Sequence, residues 1–227
     1  YHDMRDITSS WKDLIEIGKF GASIIGSPSL YVNGSWLYLA ATILDDDGMY
    51  THQLVYMHYT GNSNTSCLSA GSYYQCDVID LSYGFGSMGP ASLDIAGDGT
   101  VGIAYSKQGS AMYAYPHTPT FLYPSNCGPG NDTWRCISIA AATATGAAGA
   151  IVKLAMRPDS MDRGIAYTYD DEMIPVTLYN ADYVGSGGNC GADLSTGGLL
   201  IQRWQCEDVE YFYHLGTALQ PSFSIDI

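Results

Sequence analysis

The sequence predicts an all-β chain built from repeated four-stranded antiparallel units, and three observations carry that reading. Short strand candidates alternate with turn residues. Matched segments return about every 60 residues along the chain. Tyr and Gly are both abundant, at 19 and 26 of 227 residues, which suits pleated strands separated by tight turns.

The repeat is read from two series of segments. One runs PSLYVNGSWLYLAA from Pro28, ASLDIAGDGTVGIAY from Ala91, VKLAMRPDSMDRGIAY from Val152 and PSFSIDI from Pro221. Ser29-Leu30, Ser92-Leu93, Lys153-Leu154 and Ser222-Phe223 are spaced by 63, 61 and 69 residues. An aromatic-led series recurs out of phase with it, from Trp11, Tyr74, Trp134 and Trp204. Gly21, Gly84, Gly86, Gly146, Gly149 and Gly216 mark a linker ahead of each member of the first series.

Each unit therefore holds four strand candidates. In the second they are 92–96, 101–106, 111–115 and 134–139, and Gly97-Asp98-Gly99 supplies a hairpin turn between the first two. Apolar runs such as VGIAY suit strands buried on both faces. Antiparallel four-stranded units at this period predict a β-propeller. The blades cover 28–81, 90–140 and 151–210, with half-blades at 9–18 and 220–227, all in one segment spanning 1–227. Three blades and two half-blades leave sheet edges open, so a second chain or further residues are expected to close the ring.

The repeat resembles that of secreted β-propeller repeat proteins, some of them lectin-like. In those a Trp-led strand precedes Ser-Leu-x-x-Asp-x-x-Gly, Ile-Ala-Tyr and a Leu-x-Tyr strand. Here Ser92-Leu93, Asp98-Gly99, Ile103-Ala104-Tyr105, Met112-Tyr113 and Trp134 follow the pattern. Ile165-Ala166-Tyr167 and Leu178-Tyr179 repeat it, and Leu39-Ala40-Ala41 departs from it. The resemblance implies fold rather than activity, because such propellers host both lectins and enzymes.

Cys76, Cys136 and Cys206 each stand two residues after the aromatic leading a fourth strand, with Cys67, Cys127 and Cys190 earlier in the same units. The register predicts disulfides 67–76, 127–136 and 190–206. No C-x-x-C or His cluster suggests zinc. Local disulfides point to an oxidising compartment, and each contributes about 2–3 kcal/mol by restricting the unfolded chain. Sequons at Asn33, Asn64 and Asn131 add glycosylation to a secreted reading. With no Met ahead of it, Tyr1 reads as the residue after a processing cut.

Charge excludes several functions. Twenty-three acidic residues against nine Lys and Arg give a net charge of -14, a field that repels nucleic acid and anionic membranes. The longest uncharged run, 20–44, contains Pro28, Asn33-Gly34 and three glycines, so it reads as two strands with a turn and not as a membrane span.

Few motifs carry chemistry. Gly84-Phe85-Gly86-Ser87-Met88-Gly89 fits G-x-G-x-x-G, but it precedes a strand and reads as a turn rather than a phosphate loop. Asp45-Asp46-Asp47 and Asp170-Asp171-Glu172 lie in links between second and third strands. They offer oxygen ligands to Ca2+ without matching a calcium loop, and a solvated turn is the simpler reading. The five histidines show no metal spacing, and no nucleophile elbow is present. Aromatics near the links are suited to stacking on sugar C–H faces, with carboxylates for hydroxyls. Trp36, Tyr50, Asp45, Asp47, Tyr169 and Asp170 form that candidate set, while Trp11, Trp134 and Trp204 read as packing between blades.

The sequence thus predicts a secreted, non-catalytic recognition protein for carbohydrate or a cell-surface polymer, with no required cofactor. A structural role pairing open blades between chains is the alternative, and a glycan-processing enzyme the third reading.

Overall fold

A computed structural model describes residues 23–24, 28–33, 36–45, 51–60, 74–82, 88–128, 133–140, 146–157, 162–171, 174–194 and 198–212. The strands assemble into three antiparallel sheets taken in chain order. The first holds β1 (Ser23–Ile24), β2 (Ser29–Asn33), β3 (Trp36–Asp45), β4 (Thr51–Tyr59) and β5 (Tyr74–Ser82). The second holds β6 (Met88–Ile95), β7 (Val101–Lys107), β8 (Ser110–Pro116) and β9 (Trp134–Ala140). The third holds β10 (Gly146–Met156), β11 (Arg163–Asp171), β12 (Ile174–Tyr183), β13 (Cys190–Leu194) and β14 (Leu200–Phe212). These sheets coincide with the three full repeats read from sequence. Both expected half-blades, with Trp11, lie outside the described residues.

Two details differ from the expectation of four plain strands per unit. The third sheet carries a fifth strand, because β13 folds back on the outer edge of β14. The glycine linkers ahead of the first strands are not loops throughout. In the second and third sheets the first strand continues backwards through a bulge, between Met88 and Ala91 and between Ala148 and Val152. In the first sheet β1 and β2 pair in turn along the same edge of β3. Pro28 and Pro90 fall at these breaks in ladder pairing, where a missing N–H is tolerated.

The sheets pack face to face in series. Strands β2 and β3 lie against β6, β6 and β7 lie against β10, and β9 lies against β13. No comparable contact joins the first sheet to the third among the described residues. Burial on both faces explains the unbroken apolar character of β7, whose residues Val101 to Ser106 are all buried.

Both joints are made in the same way. Ser29 Oγ accepts the Leu93 N–H at 2.9 Å, and Ser92 Oγ accepts the Leu154 N–H at 3.0 Å. Trp134 packs edge-on against Tyr56 of the preceding sheet at 5.4 Å between centroids, and Trp204 does so against Tyr113 at 5.2 Å. Ala40 and Ala104, fully buried at equivalent positions, keep each preceding sheet flat enough to be approached. Trp134 and Trp204 are therefore packing residues between sheets.

A second recurring device closes the link between third and fourth strands. Disulfides join Cys127 to Cys136 and Cys190 to Cys206, each with a Cα–Cα distance of 5.9 Å. Cys76 is also disulfide-bonded, while its expected partner Cys67 lies outside the described residues. The Asn preceding each described first cysteine clamps the second. Asn126 Oδ1 accepts the Cys136 N–H and its amide donates to the Cys136 carbonyl, both at 2.7 Å. Asn189 treats Cys206 identically, at 2.7 and 2.9 Å.

The residue after each first cysteine is Gly128 or Gly191, at φ +89° and +62°, with the Trp134 or Trp204 indole over its α-carbon. The first repeat has Leu68 and Tyr74 at the corresponding positions, so the glycine goes with the tryptophan. Gly191→Ala should destabilise the protein by about 2–4 kcal/mol, through left-handed strain plus collision with the indole. Equilibrium urea unfolding at constant disulfide content measures the loss.

Candidate functional site

Topology divides the molecule into two ends. The second strands end and the third strands begin at one end, at Asp45 and Thr51, Lys107 and Ser110, and Asp171 and Ile174. The first strands end and the second strands begin at the other, as do the ends of the third strands and the starts of the fourth. Asp45 closes β3 opposite Thr51, and Tyr169 and Asp170 pair with Ala148 and Ala147 near the end of β11. These three share the first end, but on the first and third sheets with the second between them. Trp36 starts β3 opposite Asn33, about 30 Å from Asp45 along the ten-residue strand. Trp36 is therefore not brought together with the others. Asp47 and Tyr50 lie outside the described residues.

The opposite end bears the Asn33 sequon and the described cysteine pairs. Asn33 is exposed at the end of β2, in the link to β3. Asn64 and Asn131 belong to the segments connecting β4 to β5 and β8 to β9, and both lie outside the described residues. The cysteine pairs fall in the same class of link.

At the first end the second sheet is tied to its neighbour. Asp80 of β5 receives the Lys107 ammonium at 2.7 Å and the Tyr105 hydroxyl at 2.6 Å. Burial, reinforced by the Asp80 charge, holds the Tyr105 phenol far above its ordinary pKa, so it remains a donor. Lys107, which interrupts the acidic pattern of these links, is thus drawn back across the joint.

The densest polar cluster lies between the second and third sheets towards the other end. Asp193 of β13 is 1% exposed. Arg135 of β9 reaches its Oδ1 through Nε at 2.7 Å and Nη2 at 2.5 Å. The Tyr123 and Tyr115 hydroxyls donate to Oδ2 at 2.7 and 3.1 Å and also bond to each other. Arg203 Nε approaches Oδ2 at 3.5 Å. Arg135 Nη1 donates onward to the Pro124 carbonyl, and the guanidinium lies 5.1 Å from the Tyr123 ring centroid.

Beside this cluster, Arg163 lies over the Tyr183 ring at 3.9 Å and donates to the Tyr113 hydroxyl at 2.9 Å. Burial raises the phenol pKa of Tyr113, Tyr115 and Tyr123, so all three are protonated at neutral pH. A carboxylate surrounded by two guanidinium groups and two phenols has no lone pair left for proton transfer. The cluster locks two sheets in register.

Sequence reasoning missed this cluster. Its signal was Arg135 within Trp-Arg-Cys-Ile, a charge in an apolar strand that burial obliges to find a carboxylate.

Among the described residues no three His, Cys, Asp or Glu side chains gather to hold a metal, and no helix is long and apolar enough to cross a membrane. No family model, curated protein or solved structure matches the chain.

Two predictions follow from these side chains. Asp193→Ala leaves Arg135 buried without its carboxylate and should cost about 3–5 kcal/mol, whereas the double variant Asp193→Leu with Arg135→Met should recover most of it. Urea unfolding of both variants checks the pair.

His58 stacks on Tyr56 at 5.4 Å, and among the described residues its buried Nδ1 has no hydrogen-bond partner. Burial lowers its pKa, against the opposing pull of Asp77. The unfolded chain takes up that proton more readily, so the His58 contribution is full above about pH 6.5 and falls as the solution is acidified below it. The midpoint difference between wild type and His58→Gln should therefore change between pH 7.5 and 5.5, with wild type the more acid-sensitive.

Proposed function

We propose that the chain is a segment of an extracellular β-propeller that recognises carbohydrate without catalysis, through the end bearing the links between second and third strands. The observation that carries this reading is the series of three antiparallel sheets joined face to face by the same contacts, with their first strands side by side. Recurrence of the same serine and indole contacts at both joints supports blades repeated about an axis.

The disulfides support an oxidising compartment. The Asn33 sequon and the described cysteine pairs share the opposite end, so glycosylation of Asn33 would leave the first end uncovered. Asp45, Tyr169 and Asp170 belong to that first end, and carboxylates with aromatics suit sugar hydroxyls and C–H faces. The acidic links could also hold Ca2+ as a bridge to sugar hydroxyls.

A second reading, assembly between chains, draws on an exposed apolar cluster at the other end. Phe121 is 98% exposed, Leu122, Leu199 and Leu200 are exposed with it, and Leu122 lies beside Gly198.

A glycan array separates the readings. Sugar-inhibitable binding should be lost at least about tenfold in Tyr169→Ala and Asp170→Asn, a loss of about 1.4 kcal/mol. Trp36→Ala, at the opposite end, should bind normally. A blank array with concentration-dependent association abolished by Phe121→Ser would favour assembly instead.

A further inference from the structure

The two disulfides seen in full occupy equivalent links and differ in how they are packed. Cys127 and Cys136 belong to the core between the first and second sheets, at 3% and 8% exposed. Their link is tied to the first sheet through the main chain, because the Gly128 N–H donates to the Ile79 carbonyl of β5 at 2.7 Å. Cys190 and Cys206 are only partly buried, packed against the core between the second and third sheets rather than within it. A half-exposed sulfur is open to an attacking thiolate that a core disulfide excludes.

The half-exposed bridge sits at the start of β13, the strand that ends its sheet. β13 pairs with β14 alone, from Cys190 opposite Trp204 to Leu194 opposite Leu200. Three residues after Cys190, Asp193 crosses to the second sheet and meets Arg135, Tyr115 and Tyr123. Where the other link reaches its neighbour through Gly128, this one does so through a buried carboxylate. A strand of five residues, paired along one edge, opens locally once an anchor at its end is lost. The bridge therefore holds in place the strand that carries the ion pair between sheets.

We propose that the Cys190–Cys206 disulfide is a redox latch. Its reduction by a dithiol releases β13 from β14 and withdraws Asp193 from Arg135, while the Cys127–Cys136 disulfide stays intact. A thiolate of the reductant attacks one of the two sulfurs, forming a mixed disulfide and expelling the other cysteine as a thiolate. The second thiol of the reductant then closes its own disulfide and frees the remaining cysteine. Two electrons and two protons pass to the protein, and the reductant leaves oxidised. The open state uncovers the backbone donors and acceptors of β14 at 200–204 and separates Arg135 from its carboxylate. Asn189, bonded to both the N–H and the carbonyl of Cys206, keeps the two thiols within reach for reoxidation. The latch is independent of what the protein binds.

Treatment of the full chain with a small dithiol under native conditions, followed by alkylation and peptide mass spectrometry, tests the selectivity. Cys190 and Cys206 should be labelled at least about tenfold faster than Cys127 and Cys136. Hydrogen exchange of the selectively reduced protein tests the release. The β13 amides from Cys190 to Leu194 should exchange at least about tenfold faster than in the oxidised protein, with the Leu154 amide of the same joint unchanged. The double variant Cys190→Ser with Cys206→Ser should show the same fast β13 without reductant. Labelling of Cys190 and Cys206 no faster than Cys127 and Cys136 would overturn the latch. So would fast β13 exchange with an equal loss at Leu154, which is unfolding of the whole joint. Reduced Cys190 and Cys206 with β13 as slow as before would leave a structural staple only, and overturn it equally.

Discussion

The hydroxyl of Ser92 that accepts the Leu154 amide, with its counterpart between Ser29 and Leu93, is the contact on which the rest of the architecture depends. A face-to-face packing of apolar sheets is not specific by itself, because dispersion and hydrophobic burial tolerate sliding. One directional hydrogen bond at the first strand removes that freedom at small energetic cost. The indole of the next fourth strand, edge-on to a tyrosine of the preceding third, fixes the far side of the same joint. Two contacts on opposite sides of the sheet restrict the relative orientation, and both recur at the two joints.

The two ends of the molecule then acquire different characters for a physical reason. Links between third and fourth strands are long in sequence, and long links are the more mobile parts of a fold unless restrained. Disulfides, asparagine clamps and the Asp193 cluster all act on these links in the second and third repeats. Links between second and third strands are short in sequence and carry no cysteine, and that leaves their composition free to vary. Lys107-Gln108-Gly109 and Asp170-Asp171-Glu172 are equivalent in position and opposite in charge. Variation at a supported rim is how a repeated scaffold places different side chains around one face.

Much of the architecture was legible in the sequence because the repeat aligns residues that perform the same task. Ser29 with Ser92, Trp134 with Trp204, and the cysteine pairs 127–136 and 190–206 are aligned by the repeat itself, and the strands of the second unit fall within a few residues of their expected bounds. What escaped depends on pairings between different units. Asp193 looks like a loop residue until β13 folds onto β14 beside β9, and Arg135 looks anomalous until then. The asparagine clamp was visible as Asn126-Cys127-Gly128 and Asn189-Cys190-Gly191, but its meaning requires knowing that an indole lies on the glycine. The candidate ligand set was chosen from links without regard to which end each reaches, and it therefore combined Trp36 with residues at the other end of the same strand.

The distribution of cations bears on the kind of ligand such a surface can admit. Of nine Lys and Arg in the sequence, Lys107, Arg135, Arg163 and Arg203 are drawn into the joints, where they meet Asp80, Asp193 and tyrosine rings. Among the described residues, Lys153 and Arg157 are the exposed ones, and Arg157 pairs with Asp162 at 3.4 Å. Using scarce positive charge to hold sheets together leaves the surface acidic. A sulfated or sialylated glycan would approach against that field, while a neutral sugar would feel little of it and a cationic polymer would be drawn in. The same side chains that align the sheets therefore also narrow the chemistry of what can dock on them.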